Sequence, residues 1–273
     1  MPALENVDTV YHVAAGMRGS AADLFLSSVV ASKHLLDALV KQPGARVVLV
    51  SSFGVYGFAG LPRGHVVTEQ TPLETFPAKR DLYSYAKLRQ EMLFREYEAE
   101  HGFPLTVLRP GVIYGPGGSA LSSRVGLSLF GVFLHLGGTN MLPLSYVDNC
   151  AEAIVVAGSS PQAIGNVYNV HDDDLPTCRA YLRRYCREVR KMRVLRLPYP
   201  VTMFLSKRVE NYFIRSGGQL PALLTPYKTA TSWKGNRFDN QKLKTLGWRQ
   251  LVPTDEGIAR TFAYFKAQQT DPR

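Results

Sequence analysis

The chain has 273 residues, enough for one large domain or two smaller ones with a sizeable hydrophobic core. Its three cysteines, Cys150, Cys178 and Cys186, form no CxxC pair, which argues against a structural zinc site or a disulfide framework and favours a reduced compartment. There is no N-terminal signal pattern, and the most apolar stretch, 125–136, is about half as long as a membrane span. We therefore expect a cytoplasmic protein without a transmembrane helix.

The net charge is +10, from 32 Lys and Arg against 22 Asp and Glu. Much of the excess lies in 183–196, where Leu182, Cys186, Val189 and Met192 recur at helical spacing. This pattern predicts an amphipathic helix with a basic outer face. Solvent, an anionic membrane surface or an anionic substrate would each explain such a face. No nucleic-acid-binding motif supports a nucleic acid as the partner.

The first predicted element is a strand within residues 6–16 that ends in the small residues Ala14, Ala15 and Gly16. Small side chains at a strand end let the backbone approach a ligand closely, although a plain turn explains them as well. A helix is predicted next, from Asp23 to 40.

A second strand follows at Arg46, as a short apolar, β-branched run that ends in Ser51 and Ser52. Such a run is typical of a buried parallel strand. Ligands of open α/β sheets bind at the carboxyl ends of the strands, so Ser52 is a candidate site residue.

Helix-forming residues then dominate from Tyr83 to Glu100, between Asp81, a typical N-cap, and Gly102, a typical stop. Tyr83 and Lys87 lie one turn apart on one face of this helix. Because an ammonium stabilises a phenolate, we expect Lys87 to lower the pKa of Tyr83 from its ordinary value of about 10. Tyr83 is then a candidate general acid or base, although this spacing alone often arises by chance.

A third strand begins at Leu105 and runs through Arg109, Pro110 and Gly111 into a turn rich in glycine and proline. The long loop before the Tyr83 helix, residues 60–79, is expected on the substrate side.

A strand with Ser52, a helix with Tyr83 and Lys87, and a strand with Arg109-Pro110-Gly111, in that order, resemble the extended short-chain dehydrogenase/reductases. This superfamily includes nucleotide-sugar epimerases and dehydratases and the 3β-hydroxysteroid dehydrogenases. The resemblance covers nearly the whole chain, and the tail around Leu246-Gly247-Trp248 is somewhat closer to the steroid and sterol branch.

The resemblance implies an α/β fold with a partial Rossmann-type parallel sheet, beginning at the family's fourth strand, and a smaller C-terminal α+β substrate lobe. The implied domains are 1–117 for dinucleotide binding and 118–273 for the substrate lobe, with 140–158 interwoven with the first.

The resemblance also implies the chemistry. Tyr83 would be the general acid or base, Lys87 would lower its pKa and hold the nicotinamide ribose, and Ser52 would hydrogen-bond the reacting oxygen. The cofactor would be NAD or NADP, and its implied binding residues are Ala14, Ala15, Gly16, Ser51, Tyr83, Lys87, Pro110, Val112 and Ile113.

The expected activity is oxidation of a secondary alcohol, or reduction of its ketone, on a nucleotide sugar or a sterol-like substrate. Epimerase and dehydrogenase remain alternatives, as do NAD and NADP. An anionic membrane surface and a homodimer remain open as partners beside the small-molecule substrate.

The main departure from the family lies at the amino terminus. Members of the superfamily begin with a strand, a GxxGxxG turn and a helix, whereas here Gly16 and Gly19 follow the strand that resembles the fourth. Because that turn holds the pyrophosphate, we expect this chain to be incomplete as a dehydrogenase, with Met1 an internal or misassigned start and a bare sheet edge. The rival hypothesis is a catalytically impaired fragment or a binding protein.

Four further positions carry expectations. Ser28 stands where the family often has asparagine and is interpreted as a surface serine. His135 is expected to be buried or partnered, and Asp148, in a segment like the family's Val-Asp-Asp-Val-Ala, is expected to cap the following helix. Residues 171–174, His-Asp-Asp-Asp, favour acids before a helix near Thr177 over a metal site, so no metal is expected.

Overall fold

The computed structural model describes residues 4–17, 19–41, 44–216 and 224–270. Both helices and strands occur along the whole chain, with a run of five short strands in its middle. In order they are β1 (Thr9–His12), α1 (Ala21–Phe25), a π-helical turn (Leu26–Val30), α2 (Ala31–Leu39), β2 (Arg46–Val50), β3 (Val66–Val67), α3 (Leu82–His101), β4 (Leu105–Pro110), β5 (Val112–Tyr114), β6 (Gly126–Leu129), β7 (Val132–His135), β8 (Leu144–Tyr146), α4 (Val147–Ser159), β9 (Val167–Val170), α5 (Cys178–Glu188), β10 (Val194–Arg196), α6 (Tyr199–Arg215), α7 (Pro226–Trp233), β11 (Arg237–Phe238), α8 (Gln241–Lys244) and α9 (Thr254–Thr270).

The central sheet is parallel, with the strand order β1-β2-β4-β9. Successive residues of a strand point to opposite faces of the sheet, and β2 is apolar on both. Val47 and Leu49 pack with Leu36 and Phe94 on one face, while Val48 packs on the other. Burial on both faces explains the continuous apolar run and confirms the expected α/β fold.

The helices α2 and α3 cover one face of this sheet, and α4 covers the other. On the α4 side, Ala153 and Ala157 pack with Trp248, whose indole Nε1 donates to the carbonyl of Asn149 at 3.1 Å. The tail that resembles the steroid branch therefore closes the sheet layer.

A second core lies beside the sheet, between α5, α9 and the short strands that follow β4. The apolar stretch 125–136 forms the antiparallel hairpin β6–β7, and β5 pairs with β8. The domain boundary expected between residues 117 and 118 stays a prediction. The central sheet also includes β9, which lies within the expected substrate lobe, 118–273, and outside the interwoven stretch 140–158.

Strand β1 forms one edge of the central sheet in the part of the chain that the structure describes, and it pairs there with β2 alone. Tyr11 and Val13 are exposed along it. No helix within the described ranges is long and apolar enough to cross a bilayer.

The basic segment differs from its prediction. Helix α5 ends at Glu188, and Val194–Arg196 form a strand beside β7 instead of continuing the helix. The apolar stripe is nevertheless real, because Leu182 is buried and Cys186, Val189 and Met192 pack against the same core.

The capping role of Asp148 is also wrong. Tyr146 is the N-cap of α4 and makes no side-chain cap, while Asp148 lies in the first turn, where the helix dipole favours an acid. Helix α1, which was expected to begin at Asp23, begins two residues earlier at Ala21, because Ser20 and Asp23 form a reciprocal capping box.

Candidate active site

Helix α3 carries the predicted pair as the sequence indicates. Asp81 accepts a hydrogen bond from the Ser84 amide at 2.8 Å and begins the helix. Gly102 ends it with φ +69°, a left-handed conformation that glycine adopts without strain. Between these ends, Tyr83 and Lys87 both line a cleft at the carboxyl end of β2.

The cleft has a volume of about 570 Å³ and brings together most of the predicted site residues. Those that line it are Ala15, Ser51, Ser52, Tyr83, Lys87, Pro110, Val112 and Ile113. Ala14 and Gly16 are not among its lining residues.

Ser52 and Tyr83 line the same cleft, and the Ser52 side chain acts to lower the pKa of Tyr83. The Ser52 hydroxyl oxygen also accepts from the Gly54 amide at 3.0 Å, which caps the short 3₁₀ helix Phe53–Val55. An added Cβ at Gly54 would lie 2.8 Å from the Ser84 hydroxyl, so a glycine lets this turn approach α3 closely. The turn thus holds the Ser52 hydroxyl at the cleft.

Lys87 is held by two buried oxygen acceptors at the wall of the cleft. Its side chain is buried, and Nζ donates to the Val50 carbonyl at 2.7 Å and to Gln90 Oε1 at 2.6 Å. Burial lowers the pKa of Lys87 to about 8, and the charge of Glu91 opposes this shift.

The expectation that Lys87 lowers the pKa of Tyr83 is wrong for this structure. Burial raises the pKa of Tyr83, the Ser52 side chain works in the opposite direction, and the charge of Asp81 adds to the increase. Lys87, whose ammonium donates to Val50 and Gln90, is not among the groups that shift this pKa.

Gln90 is fully buried and joins Lys87 to the end of β1 and to the π-helical turn. Its Nε2 lies 3.2 Å from the carbonyl oxygens of Ala14 and Ser28, and 2.8 Å from Ser32 Oγ. His12 Nε2 lies 3.0 Å from the same nitrogen. Burial, and then the charge of Lys87, lower the pKa of His12 to about 4, so this imidazole is neutral at pH 7.

Ser28 belongs to this network, and its interpretation as a surface serine is wrong. It is completely buried, and its hydroxyl accepts a hydrogen bond from the Gly16 amide at 2.9 Å. A Cβ at Gly16 would collide with the Ser27 hydroxyl and lie 3.1 Å from Leu24. Close packing against the helix therefore explains why a small residue follows β1.

A second buried network lies beneath Ser51. Its hydroxyl donates to Glu91 Oε2 at 2.6 Å, and Arg109 donates to both carboxylate oxygens, at 2.5 and 3.1 Å. The guanidinium carbon of Arg109 lies 4.7 Å from the ring centre of Tyr56. Although burial alone would raise the pKa of Glu91, the hydrogen bonds and charge of Arg109 hold it below its ordinary value.

The far side of the cleft is cationic. Arg80 and Arg124 both line it. Arg80 is paired with Glu74 at 3.1 Å, whereas Arg124 has no carboxylate partner among the described residues. Burial and the neighbouring charge of Arg80 lower the pKa of Arg124 to about 10, which leaves it protonated at neutral pH.

The remaining candidates lie outside the cleft. His135 is buried, with Nδ1 3.0 Å from the Val125 carbonyl, as expected. Asp172 is buried and accepts from the Tyr146 amide, the Asn149 amide group and the Tyr114 hydroxyl. The described residues hold no group of three or more acids, histidines or cysteines suited to a metal ion.

Sequence reasoning missed the roles of Gln90, Glu91 and Arg124. The first two were open to inference, because they lie three and four residues after Lys87 and so share its helix face. Arg124 follows a loop, and no periodic pattern indicates which way a loop side chain points.

Comparisons with known proteins agree with the fold described above. Residues 2–170 match the model of the NAD dependent epimerase/dehydratase family. The chain is 26% identical over 284 residues to the 3beta-hydroxysteroid-dehydrogenase/decarboxylase isoform 2 of Arabidopsis thaliana, covering 96% of this chain and 49% of the relative. It is 25% identical to the sterol-4-alpha-carboxylate 3-dehydrogenase, decarboxylating, of Saccharomyces cerevisiae, covering 94% and 76%.

The chain spans about half the length of the first curated relatives that it matches, 49% and 58%. Among solved structures, the UDP-glucuronic acid 4-epimerase of Bacillus cereus in complex with NAD superposes with a TM-score of 0.68 at 19% identity, covering 98% of this chain and 77% of that one. At this identity the likeness establishes the fold.

The family model covers well over half of the chain, and its range contains β1, β2, the Tyr83–Lys87 helix and β4. The protein therefore belongs to the NAD-dependent epimerase/dehydratase family of extended short-chain dehydrogenase/reductases.

Proposed function

We propose that this protein is an NAD(P)-dependent oxidoreductase or epimerase that acts on a secondary alcohol or its ketone. The observation that carries the proposal is the convergence of the Ser52–Tyr83 hydroxyl pair and Lys87 on one cleft. A hydroxyl pair beside a buried amine can bind a carbonyl oxygen and supply a proton to it.

The described residues fit the nicotinamide and ribose half of a dinucleotide. Ile113 and Val13 are apolar yet exposed where they line the cleft, as a wall for a flat ring would be. Lys87 supplies an ammonium group near them. The strand, glycine turn and helix that hold a pyrophosphate in this superfamily do not open this sequence. The GxxGxxG spacing of Gly54, Gly57 and Gly60 follows β2 and forms 3₁₀ turns instead of beginning an α-helix, so we assign no residue to that half.

When bound, the nicotinamide would supply or accept the hydride, and the protein would orient the reactants and move a proton. The raised pKa of Tyr83 keeps the phenol protonated at neutral pH. This state suits donation of a proton to a ketone oxygen. Ser52 would donate a hydrogen bond to the same oxygen.

The proposed substrate carries an anionic group. Arg124 provides a guanidinium without a carboxylate partner among the described residues on the far side of the cleft, and such a group binds phosphate or carboxylate. A nucleotide sugar and a sterol-like carboxylate both meet this requirement. Relatives with names of each kind are matched, including the trifunctional UDP-glucose 4,6-dehydratase of Arabidopsis thaliana.

The test is Tyr83→Phe, read as NAD(P)H formation on a panel of UDP- and dTDP-sugars and 3β-hydroxysteroids. The change removes the proton and keeps the ring, so turnover should fall by about 10²-fold or more. Ser52→Ala should cost less, because water can replace one hydrogen bond. Tyr97→Phe is the matched control, since Tyr97 lies on the same helix as Tyr83 and its hydroxyl contacts Asp37 of α2, outside the cleft.

A loss smaller than tenfold in Tyr83→Phe, with activity present in the unaltered protein, would contradict the assignment. The rival is a binding protein or a catalytically impaired fragment. Saturable quenching of protein fluorescence by NADH, together with turnover on the panel, would exclude the rival. Quenching without turnover would favour it.

The proposal includes an anionic membrane surface as one partner. The 183–196 segment supports it less well than its composition suggested, because Arg184 is paired with Glu188 and Asp255. A homodimer and a cytoplasmic location remain predictions, which sedimentation velocity and cell fractionation would test.

A further inference from the structure

Helix α6, Tyr199–Arg215, turns its apolar side chains toward solvent and small polar ones toward the protein. Thr202 and Ser206 are completely buried, while Phe204 and Tyr212 are 56% and 59% exposed. A surface helix of a globular protein has the opposite arrangement, with its apolar stripe facing the core.

Five of the exposed apolar residues of α6 form one continuous stripe, and Ile214, also exposed, lies outside it. Successive residues are about 100° apart around a helix, which places these side chains within an arc of about 140°. They are Val201, Phe204, Leu205, Val209 and Tyr212, and each is exposed. Contiguous exposed apolar surface of this kind marks a site that binds another protein, a ligand or a membrane.

The same arc carries positive charge. Arg208 and Arg215 lie within it by the same spacing, and the guanidinium of Arg208 lies 5.0 Å from the ring centre of Phe204. The single acid of α6, Glu210, lies on the opposite, partly buried face. The exposed stripe is therefore apolar and cationic, with no acid of its own.

This charge pattern distinguishes between two possible partners of the stripe, a second copy of the chain and a phospholipid surface. A second copy of the chain that used the same stripe would bring like charges together, because a two-fold contact places the same surface on both subunits. An anionic phospholipid surface instead accepts the apolar side chains between its acyl chains and pairs the guanidinium groups with phosphates. Tyrosine, with an apolar ring and a polar hydroxyl, also suits that interface.

The position of α6 relates the stripe to the cleft. The helix packs on α7, and Met203 lines a mainly apolar cavity of about 600 Å³ together with Tyr227 and Ala230 of α7. Thr231 and Ser232 of the same helix line the candidate active site. A surface bound to α6 would thus lie one helix away from the substrate side of the cleft.

We propose that α6 is an interfacial helix that docks this protein on the surface of an anionic phospholipid bilayer. The proposal concerns binding and needs no turnover, so it stands or falls separately from the proposed oxidoreductase activity. Because charge attraction between exposed groups is screened by salt, binding should weaken as the ionic strength rises.

The test is co-sedimentation of the whole protein with phosphatidylcholine vesicles prepared with and without phosphatidylserine, at low and high salt. We expect binding to the vesicles that contain phosphatidylserine. The double change Phe204→Ser with Tyr212→Ser should weaken it by about tenfold or more, through lost apolar burial. Arg208→Gln should weaken it by about fivefold.

Matched controls show whether a loss of vesicle binding is specific to the stripe or follows from changing any exposed side chain. Val155→Ser removes an exposed apolar side chain from α4, and Arg89→Gln removes an exposed charge from α3. Both should bind vesicles as the unaltered protein does, and so should Tyr83→Phe. Absence of binding to phosphatidylserine vesicles, or equal binding by the stripe variants, would overturn the proposal. So would a dimer in solution that Phe204→Ser with Tyr212→Ser dissociates, since a second copy would then occupy the stripe.

Discussion

Replacement of Glu91 by glutamine should expose how much the buried network beneath Ser51 contributes to stability. Glu91 is completely buried and Arg109 nearly so, and two hydrogen bonds join them. Glu91→Gln removes the negative charge but keeps the shape of the side chain. Arg109 would then remain as a buried cation without a counter-charge, while its Nη1 atom already has no hydrogen-bond partner.

The expected cost follows from this geometry. Breaking a buried ion pair by removing one partner typically costs about 3–5 kcal/mol. The whole free energy of unfolding of a domain is about 5–15 kcal/mol, so the loss should be large in a urea titration. With a dependence on urea of about 1–3 kcal/mol per molar, the midpoint should fall by at least about 1 M.

Glu100→Gln is the matched control, because Glu100 lies on the same helix with its side chain 72% exposed. It should change stability by no more than about 0.5 kcal/mol. In the double variant Glu91→Gln with Arg109→Met, the buried cation is removed as well and only the partly exposed Arg95 loses its partner, so part of the stability should return. A loss below about 1 kcal/mol in the single variant would refute the reasoning, because the pair would then be solvated or easily replaced.

Two further predictions follow from the site. The affinity for NADH should fall as pH rises through about 8, because Lys87 loses its proton there and the ribose loses a cationic partner. Fluorescence titration with NADH across this pH range measures the affinity. An unchanged affinity would contradict the role of Lys87. Gly111→Ala should lower the free energy of unfolding by about 1–3 kcal/mol, because the added Cβ would collide with the Pro143 carbonyl. The control Gly60→Ala places its Cβ with nothing within 4 Å and should be nearly neutral. Equal urea midpoints for the two variants would show that the backbone at Pro143 moves aside without cost.

The elements that the sequence predicted well were those with local signals. Asp81 and Gly102 fix both ends of α3 through a side-chain cap and a left-handed residue, so the helix could be placed almost to the residue. The β-branched run of β2 predicted a strand buried on both faces. The common face of Tyr83 and Lys87 followed from helix geometry, their grouping with Ser52 was implied by the family resemblance, and all three line one cleft.

The errors came from tertiary contacts that no local pattern encodes. Ser28 was interpreted as a surface residue because it stands where the family often has asparagine, but Gly16 and Gln90 approach it from other elements. The basic segment looked helical through 196, yet pairing of β10 with β7 competes successfully with helix propensity there.

The pKa of Tyr83 shows most clearly how such a contact changes the chemistry. Spacing alone places Lys87 on the same helix face as the Tyr83 phenol, and from spacing alone a lowered pKa of Tyr83 is expected. Gln90, however, offers the ammonium a buried carbonyl oxygen, and Val50 offers a second. Since the amide of Gln90 also contacts Ala14 and Ser28, the orientation of Lys87 is linked to the end of β1 and to the π-helical turn. A ligand that draws the Lys87 ammonium toward the phenol must therefore break its hydrogen bonds to Val50 and Gln90, and until it does Tyr83 keeps its raised pKa and remains a proton donor.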